Sequence, residues 1–179
     1  MEVYATQQLQ RREQAYDLLA LAVRESWGWD ALPRLARPPK GKPYFSDWPG
    51  RHFNLSHSGS LALCALDDAP VGADIQIVKR WRPGLPGRTC SERELAWLEE
   101  QGGGWEAFAL LWAMKEARAK WDGSGLTRPI REISVPLPER DEHLLQWDGL
   151  WFRTWTGPDW AAAVCGLKPP PEDVRWRIL

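Results

Sequence analysis

Prolines crowd one short stretch of the chain, and this stretch limits what the neighbouring segments can form. Pro33, Pro38, Pro39, Pro43 and Pro49 all fall within it. Because proline lacks a backbone N–H and fixes its φ angle, a helix cannot run through such a density of prolines. We therefore predict an extended connector here, with separate elements before and after it.

The segment before the connector has the periodicity of a helix. From about Thr6 to Trp29, apolar and small residues recur at steps of three and four, and charged residues lie off that stripe. The members of the stripe are Leu18, Leu19, Ala22, Val23 and Ser26. We predict a long helix over this segment.

Short strands are predicted on the other side of the connector. They cover about 51–56, 61–66 and 71–78. The polar residues 67–70 separate the last two strands and are typical of a tight turn. We therefore predict a hairpin between those two strands.

The second half of the chain repeats the order of helix and then strands. After a connector at 81–88, Ser91 and Glu94 have the spacing of a capping box, which predicts a short helix. A second long helix is predicted from Trp105 to Trp121. The expected later elements are strands at 133–137, 144–147, 151–155 and 161–167, with a turn at 148–149.

This order predicts an α+β fold. The expected architecture is a pseudo-dimer of two similar halves, each with a long helix packed on a small antiparallel sheet. Residues 1–88 would form the N-terminal half and 89–179 the C-terminal half of one integrated domain. The sequences 61–66 and 162–167 resemble each other, which favours a repeat, although two neighbouring strands of small apolar residues would show the same likeness.

Composition excludes several classes of function. With 23 basic and 24 acidic residues the net charge is −1, so we expect neither nucleic acid nor a membrane as partner. The 3 cysteines include no CxxC pair, which disfavours a disulfide framework and a zinc site. The sequence has no recognisable signal peptide and no apolar run of about 18 residues, so we expect a soluble, cytoplasmic protein.

Common catalytic patterns fail on spacing. Ser56 and His57 are neighbours in a predicted strand, so their side chains should point to opposite faces and cannot form a nucleophile–base pair. Gly41 and Lys42 lack the remaining residues of a phosphate-binding P-loop, and no dinucleotide fingerprint is present. A hydrolase that needs no metal and a Rossmann enzyme are therefore disfavoured.

Polar residues in the predicted strands and the proline connector are the better candidates. Lys42 is held between a glycine and a proline, where its ammonium could bind phosphate or simply be solvated. Asn54, Ser56 and Ser58 alternate with apolar residues and would line one face of their strand. Asp74 lies in an otherwise apolar strand, so its carboxylate must be ion-paired, exposed or bound to a metal.

The second long helix carries another carboxylate. Trp112, Glu116 and Lys120 share one face, where Glu116 and Lys120 could form a surface ion pair only. If this face meets Asp74, two carboxylates and a lysine converge, which suits a magnesium ion and a pyrophosphate.

In this order and spacing, the motifs resemble the 4′-phosphopantetheinyl transferases of the Sfp type. The likeness is strong from about Gly41 to Leu126 and weak in the C-terminal strands. It implies that the phosphopantetheine arm of coenzyme A is moved to a serine of an apo acyl or peptidyl carrier protein, releasing adenosine 3′,5′-bisphosphate. The motifs that carry the resemblance are residues 41–43, 53–58, 72–75, 112–120 and 123–126.

The resemblance also implies roles for individual residues. Asp74 and Glu116 would bind Mg²⁺, with Glu116 helping to deprotonate the serine. Gln76 stands where many relatives have an acid and could still offer its carbonyl oxygen. The residues implied to hold coenzyme A are Lys42, Ser56 and His57, with Lys115 and Lys120 on its pyrophosphate. Lys120 also counts among the expected catalytic residues.

Other interpretations stay open at this point. Arg11 and Arg12 could contact the 3′-phosphate of coenzyme A or could form a solvated helix start, which we prefer. The whole chain, expected to be a monomer, could be a relative that binds coenzyme A or a carrier protein without turnover. It could also be a metal-dependent phosphodiesterase that uses Asp74 and Glu116.

Overall fold

The structure is a computed structural model that describes residues 1–38, 41–123, 128–139 and 141–179. The first elements along the chain are β1 (Glu2–Thr6), α1 (Ala15–Trp27), β2 (Leu35–Ala36), β3 (Tyr44–Phe45), β4 (His52–Ser58), β5 (Leu61–Asp67) and β6 (Val71–Ile77). They are followed by α2 (Leu85–Thr89), α3 (Glu92–Glu100), α4 (Trp105–Trp121), β7 (Leu144–Trp147), β8 (Leu150–Thr156), β9 (Trp160–Gly166) and β10 (Arg175–Trp176). The α+β class is confirmed. No helix in the described ranges is both long and apolar enough to cross a membrane.

The first of two four-stranded sheets has the order β10-β1-β5-β4. Its strands are antiparallel except that β10 runs parallel to β1. Helix α1 packs on it through the predicted apolar stripe, because Leu18, Leu19, Ala22 and Val23 are all fully buried. The stripe thus marks the face that the sheet covers.

The second sheet has the order β6-β9-β8-β7 and is antiparallel throughout. Helix α4 covers it with Phe108, Leu111 and Met114, which are buried with Phe152 of β8. The β7–β8 turn at 148–149 has positive φ at both residues, as in a type I′ turn, which confirms that prediction. Helix α4 spans the predicted residues, and α3 begins with the predicted capping box.

The N-terminal helix is shorter than predicted. It begins at Ala15, after a 3₁₀ turn at Arg12–Gln14, and Glu2–Thr6 is strand β1. This strand is almost entirely buried between β5 and β10. Pairing with two distant strands therefore determines its conformation, and local periodicity carries no trace of those partners.

The predicted hairpin between the second and third of the short strands is wrong. Strand β5 is already hydrogen-bonded to β1 on one edge and to β4 on the other, so β6 cannot join it. The turn at 67–70 instead carries the chain from the first sheet into the second, where β6 pairs with β9.

The strand predicted at 133–137 is also absent. Ile133 and Val135 are buried and Ser134 between them is exposed, but the alternation ends at Pro136, which is buried as well. The segment also has no partner strand within the part of the chain that the structure describes. The connector predicted at 81–88 contains the short helix α2.

Candidate active site

Strands β4 and β6 and helix α4 meet at a cleft with a volume of about 710 Å³. Both sheets contribute to its walls, because β4 is the edge strand of the first sheet and β6 that of the second. The predicted site residues that line it are Lys42, Ser56, His57, Asp74, Gln76, Glu116 and Lys120. The polar face of β4, the aspartate of β6 and the carboxylate of α4 therefore do converge.

Asp74 lies at the bottom of this cleft and is only 2% exposed. Its Oδ1 accepts hydrogen bonds from Ser56 Oγ at 2.6 Å and from Lys120 Nζ at 2.5 Å, while Oδ2 accepts one from Gln76 Nε2 at 2.6 Å. Three donors, one of them cationic, offset the cost of burying this carboxylate. The ion pair that the sequence left open thus exists, with Lys120 as the partner.

Glu116 lies one helical turn before Lys120 and also faces the cleft. Burial raises the pKa of its carboxyl group, and the negative charge of Asp74 raises it further, against the opposing effect of Lys120. Its carboxylate has no hydrogen-bond partner among the residues in the described ranges. Glu116 is therefore a half-buried carboxylate available to a cation or a proton.

A glycine lets α4 come close enough to bring these groups together. A Cβ atom on Gly72 would lie 1.9 Å from the carbonyl oxygen of Ala117 and 2.7 Å from the backbone nitrogen of Trp121. Only a residue without a side chain allows the backbones of β6 and α4 to approach this far. The close approach sets Lys120 directly beside Asp74, two residues along the strand from Gly72.

Lys42 lines the cleft near the start of β6. Its Nζ donates a hydrogen bond of 2.8 Å to the carbonyl oxygen of Val71. Burial lowers the pKa of Lys42 to about 8. The proline connector thus positions this ammonium, and the one hydrogen bond to Val71 offsets only part of the cost of burying its positive charge. A phosphate could offset the rest.

Ser56 and His57 both border the cleft, but their environments differ. Besides its bond to Asp74, Ser56 Oγ accepts from Ile75 N at 3.3 Å and from Lys120 Nζ at 3.1 Å. His57 is half-buried, and its pKa is lowered by burial and by the positive charges of Arg12 and Lys120. At neutral pH its imidazole is uncharged and can donate one hydrogen bond and accept another.

Lys115 does not belong to the cleft. It is 1% exposed and its Nζ lies 2.5 Å from Glu94 Oε2 in a buried ion pair. Consecutive helical residues point about 100° apart, so Lys115 cannot share the cleft-facing side of Glu116. The prediction that Lys115 binds the pyrophosphate is corrected to a structural pairing between α3 and α4.

The cleft is lined by two arginines that sequence patterns did not assign to it. Arg12 and Arg37 both line the cleft, and Arg37 Nη2 donates to the hydroxyl of Tyr16 at 2.9 Å. Arg11 and Arg12 are both exposed, as a solvated helix start requires, and Arg12 also lines the cleft, where it can contact a phosphate. No local signal marks Arg37, because the path of the connector decides where it lies.

The donor set suits a hard cation. Asp74, Glu116 and Gln76 offer two carboxylates and an amide oxygen, and Mg²⁺ takes one or two carboxylates together with phosphate and water oxygens. Within the described residues no group of three or more His, Cys, Asp or Glu side chains could hold a metal. Residues 124–126 of the last predicted motif lie outside the described residues.

The chain is similar in sequence to several known 4′-phosphopantetheinyl transferases. The 4′-phosphopantetheinyl transferase ffp of Bacillus subtilis is 34% identical over 152 residues, which cover 79% of this chain and 66% of that protein. Sfp of Bacillus subtilis strain 168 is 32% identical over 149 residues, with coverage of 79% and 66%. AcpT of Salmonella typhimurium is 37% identical over 126 residues, with coverage of 67% and 65%. The chain thus spans just under two thirds of the length of these relatives.

The match to the family model is independent of any single relative. Residues 70–165, more than half of the chain, match the model of the 4′-phosphopantetheinyl transferase superfamily. The matched range includes Asp74, Glu116 and Lys120, which meet in the cleft. The chain belongs to the 4′-phosphopantetheinyl transferase superfamily.

Proposed function

We propose that this protein transfers the 4′-phosphopantetheine group of coenzyme A to a serine of an acyl or peptidyl carrier protein and releases adenosine 3′,5′-bisphosphate. The observation that carries the proposal is the convergence of Asp74, Glu116 and Lys120 in one cleft, at the positions of the family motifs. Because both walls of the cleft come from one chain, we infer that a monomer is active.

In this reaction Glu116 accepts the proton of the carrier serine hydroxyl. The serine oxygen forms a bond to the phosphorus that bears pantetheine, and the bond from that phosphorus to the bridging oxygen breaks. The electron pair stays on the phosphate of adenosine 3′,5′-bisphosphate, whose new charge the ammonium of Lys120 stabilises. Burial and the negative charge of Asp74 raise the pKa of Glu116, which makes its carboxylate a stronger proton acceptor than that of an exposed glutamate.

We propose Mg²⁺ as the cofactor, held by Asp74, Glu116 and the amide oxygen of Gln76. The Gln76 amide now donates to Asp74, so holding a metal requires its oxygen to turn toward the ion. Lys120 now occupies Asp74 Oδ1 and would turn toward the pyrophosphate. When bound, the ion supplies charge neutralisation for the phosphate oxygens.

The phosphates of coenzyme A match the cationic side chains of Lys42, Arg12 and Arg37 and the hydrogen-bond donor of the neutral His57 imidazole. Lys42 and His57 lie in the proline connector and on β4, and Arg12 and Arg37 add two guanidinium groups to the wall. Guanidinium groups bind phosphate oxygens in a bidentate fashion, and lysine binds them as a point charge. We assign these four residues to substrate binding and not to the bond that breaks.

We also propose that the two halves are related as a pseudo-dimer. Each sheet is built in the order strand, helix, strand, strand: β1, α1, β4 and β5 in the first, β6, α4, β8 and β9 in the second. In both sheets the last of these strands lies between the other two. Residues 61–66 lie on β5, and 162–166 of the similar sequence lie on the equivalent strand β9. A division near residue 68 fits the pairing of β6 better than the predicted boundary after residue 88.

The decisive assay incubates the protein with coenzyme A, Mg²⁺ and an apo carrier protein and weighs the carrier by mass spectrometry. A gain equal to the phosphopantetheine group supports transfer. Binding of coenzyme A without such a gain, with fatty-acid, polyketide and peptide-synthetase carriers all tested, would favour the non-catalytic relative. Cleavage of coenzyme A without any acceptor would favour a phosphodiesterase.

The charge of Lys42 should make coenzyme A binding depend on pH. Because its pKa is lowered to about 8, the ammonium loses its proton as the pH rises from 7 to 9. We expect the KM for coenzyme A to rise about tenfold over this window, with a smaller change in kcat, since one charged hydrogen bond to phosphate is lost. Initial rates at five or six coenzyme A concentrations per pH value measure this.

Matched variants separate this effect from other titrations. Lys42→Arg keeps its charge and should show a nearly flat KM, whereas Lys42→Ala should have a high KM at every pH. His57→Ala should also raise KM more than it lowers kcat. A wild-type KM that stays constant from pH 7 to 9 would remove Lys42 from phosphate binding.

Gln76→Glu should strengthen the metal site and weaken the protein without metal. A third carboxylate attracts Mg²⁺, so the Mg²⁺ concentration for half-maximal rate should fall several-fold. Without metal, the new carboxylate repels Asp74, where Gln76 now donates a hydrogen bond, so the melting temperature with chelator should fall. Gln146→Glu, at an exposed position of β7, is the control and should change neither quantity. If both quantities stay at their wild-type values in Gln76→Glu, Gln76 has no part in the site.

A further inference from the structure

Edge strands β4 and β6 run side by side next to the cleft, yet they are not backbone hydrogen-bond partners in either sheet. Side chains of β4 take the place of a partner strand by accepting backbone N–H groups of β6. The three bonds are Ala73 N to Asn54 Oδ1 at 2.9 Å, Ile75 N to Ser56 Oγ at 3.3 Å, and Ile77 N to Ser58 Oγ at 3.0 Å. We call Asn54, Ser56 and Ser58 the side-chain ladder.

The side-chain ladder follows the pleat of both strands. Each acceptor bonds to the residue 19 positions later, and both sets of residues advance in steps of two. In an antiparallel pair only alternate residues point their N–H groups at the partner. Strand β6 therefore pairs with β9 through one set of N–H groups, and the side-chain ladder satisfies the other set along its free edge.

The register of this contact, together with the pairing of β6 with β9, fixes which way Asp74 points relative to the β4 side of the cleft. A shift of β6 by one residue relative to β4 would turn every β6 side chain to the opposite face. Two bonds of the side-chain ladder flank Asp74, at Ala73 and Ile75, and the third lies two residues beyond. Ser56 also donates to the Asp74 carboxylate itself, so β4 restrains both the backbone and the side chain at this point.

We propose that Asn54 and Ser58 are positioning residues that hold β6 in the register which aims Asp74 at the cleft. The inference rests on the proposed function, because it assigns these residues to the metal and transfer geometry. Asn54 is almost fully buried and borders the cleft with its Oδ1 committed to Ala73. Ser58 is half-buried and does not line the cleft, and its hydroxyl contacts β6 through the bond from Ile77 N. An effect that passes through β6 changes kcat and the Mg²⁺ requirement, whereas an effect that passes through the neighbouring His57 changes the KM for coenzyme A.

Ser58→Val and Ser58→Thr are the central test, because the two side chains have the same shape and only Thr retains a hydroxyl acceptor. Amide hydrogen exchange in the ligand-free protein measures the bond at Ile77 without reference to catalysis. Rate assays measure kcat and the Mg²⁺ concentration for half-maximal rate, and calorimetry measures Mg²⁺ binding in the presence of coenzyme A. Ser60→Ala, an exposed position in the β4–β5 turn, is the control.

We expect the amide hydrogen of Ile77 to exchange about tenfold faster in Ser58→Val than in the wild type, because one hydrogen bond is lost. The Mg²⁺ requirement should rise about fivefold and kcat should fall by a similar factor, with the KM for coenzyme A nearly unchanged, because misplacement of a reacting group mainly affects the transition state. Ser58→Thr and Ser60→Ala should match the wild type. Asn54→Leu, which removes the bond beside Asp74, should have a larger effect than Ser58→Val.

Two results would overturn the proposal. If Ile77 exchanges faster in Ser58→Val while kcat and the Mg²⁺ requirement stay at wild-type values, the side-chain ladder only joins the sheets. If Ile77 exchange does not change, Ser58 does not hold β6. A wild-type protein without transfer activity would overturn the proposed function instead, and the calorimetric Mg²⁺ affinities of the same variants would then decide whether Ser58 positions Asp74.

Discussion

Asp74→Asn and Glu116→Gln are each expected to lower kcat for transfer by about a thousandfold or more, the range in which general-base and charge contributions fall. Both changes keep the size of the side chain, remove its negative charge and replace one accepting oxygen by a donating NH₂ group. Asp74→Asn removes the anion that now holds Lys120, and Glu116→Gln removes the proton acceptor. Mass spectrometry of the carrier after timed incubation at saturating Mg²⁺ measures the remaining rate.

The controls for this pair are carboxylates of the same chemistry outside the cleft. Glu106 lies on the exposed first turn of α4, and Asp30 is exposed after the end of α1. Glu106→Gln and Asp30→Asn should both transfer phosphopantetheine at the wild-type rate. Thermal melts should show that the cleft variants remain folded, because the Lys120 side chain is already 26% exposed and can be solvated when Asp74 loses its charge. A rate within threefold of wild type in either cleft variant would contradict the assignment of Asp74 and Glu116.

Gly72→Ala is expected to destabilise the protein by about 3 kcal/mol, the upper part of the range for overpacking. The added Cβ would lie 1.9 Å from the Ala117 carbonyl oxygen and 2.7 Å from the Trp121 backbone nitrogen. Because both neighbours are backbone atoms, no change of side-chain rotamer relieves the clash, and α4 must move away from β6. Urea unfolding measures the loss in the free energy of unfolding.

The same substitution should also abolish most of the transfer activity under conditions where the protein remains folded. Moving α4 separates Lys120 and Glu116 from Asp74, and a displacement of about 1 Å can cost a factor of 100. Gly50→Ala is the control, because a Cβ at Gly50 meets no atom within 4 Å. An unfolding midpoint for Gly72→Ala equal to that of Gly50→Ala would show that the close approach of β6 and α4 is not required.

Sequence patterns predicted the elements whose information is local. Helix α4 was predicted at its observed bounds, and the capping box at Ser91 and Glu94 correctly marks the start of α3. The stripe of α1 is buried as expected, because an apolar face must be covered wherever the helix lies. Helical spacing also predicted that Glu116 and Lys120 share one face of α4. If that face met Asp74, two carboxylates and a lysine would come together.

Long-range contacts decided the rest. Strand β1 forms because it pairs with strands that are distant in sequence, and β6 joins the second sheet because both edges of β5 are already paired. A short window of sequence contains no information about these partners. The direction of Lys115 follows from the position of Glu94 on another helix, and the place of Arg37 follows from the path of the connector. The sequence by itself determined which residues can do phosphate and metal chemistry, because that depends on residue type and spacing. Only the tertiary structure decided which of them meet, because hydrogen-bonded strand edges and helix packing join parts of the chain that are far apart in sequence.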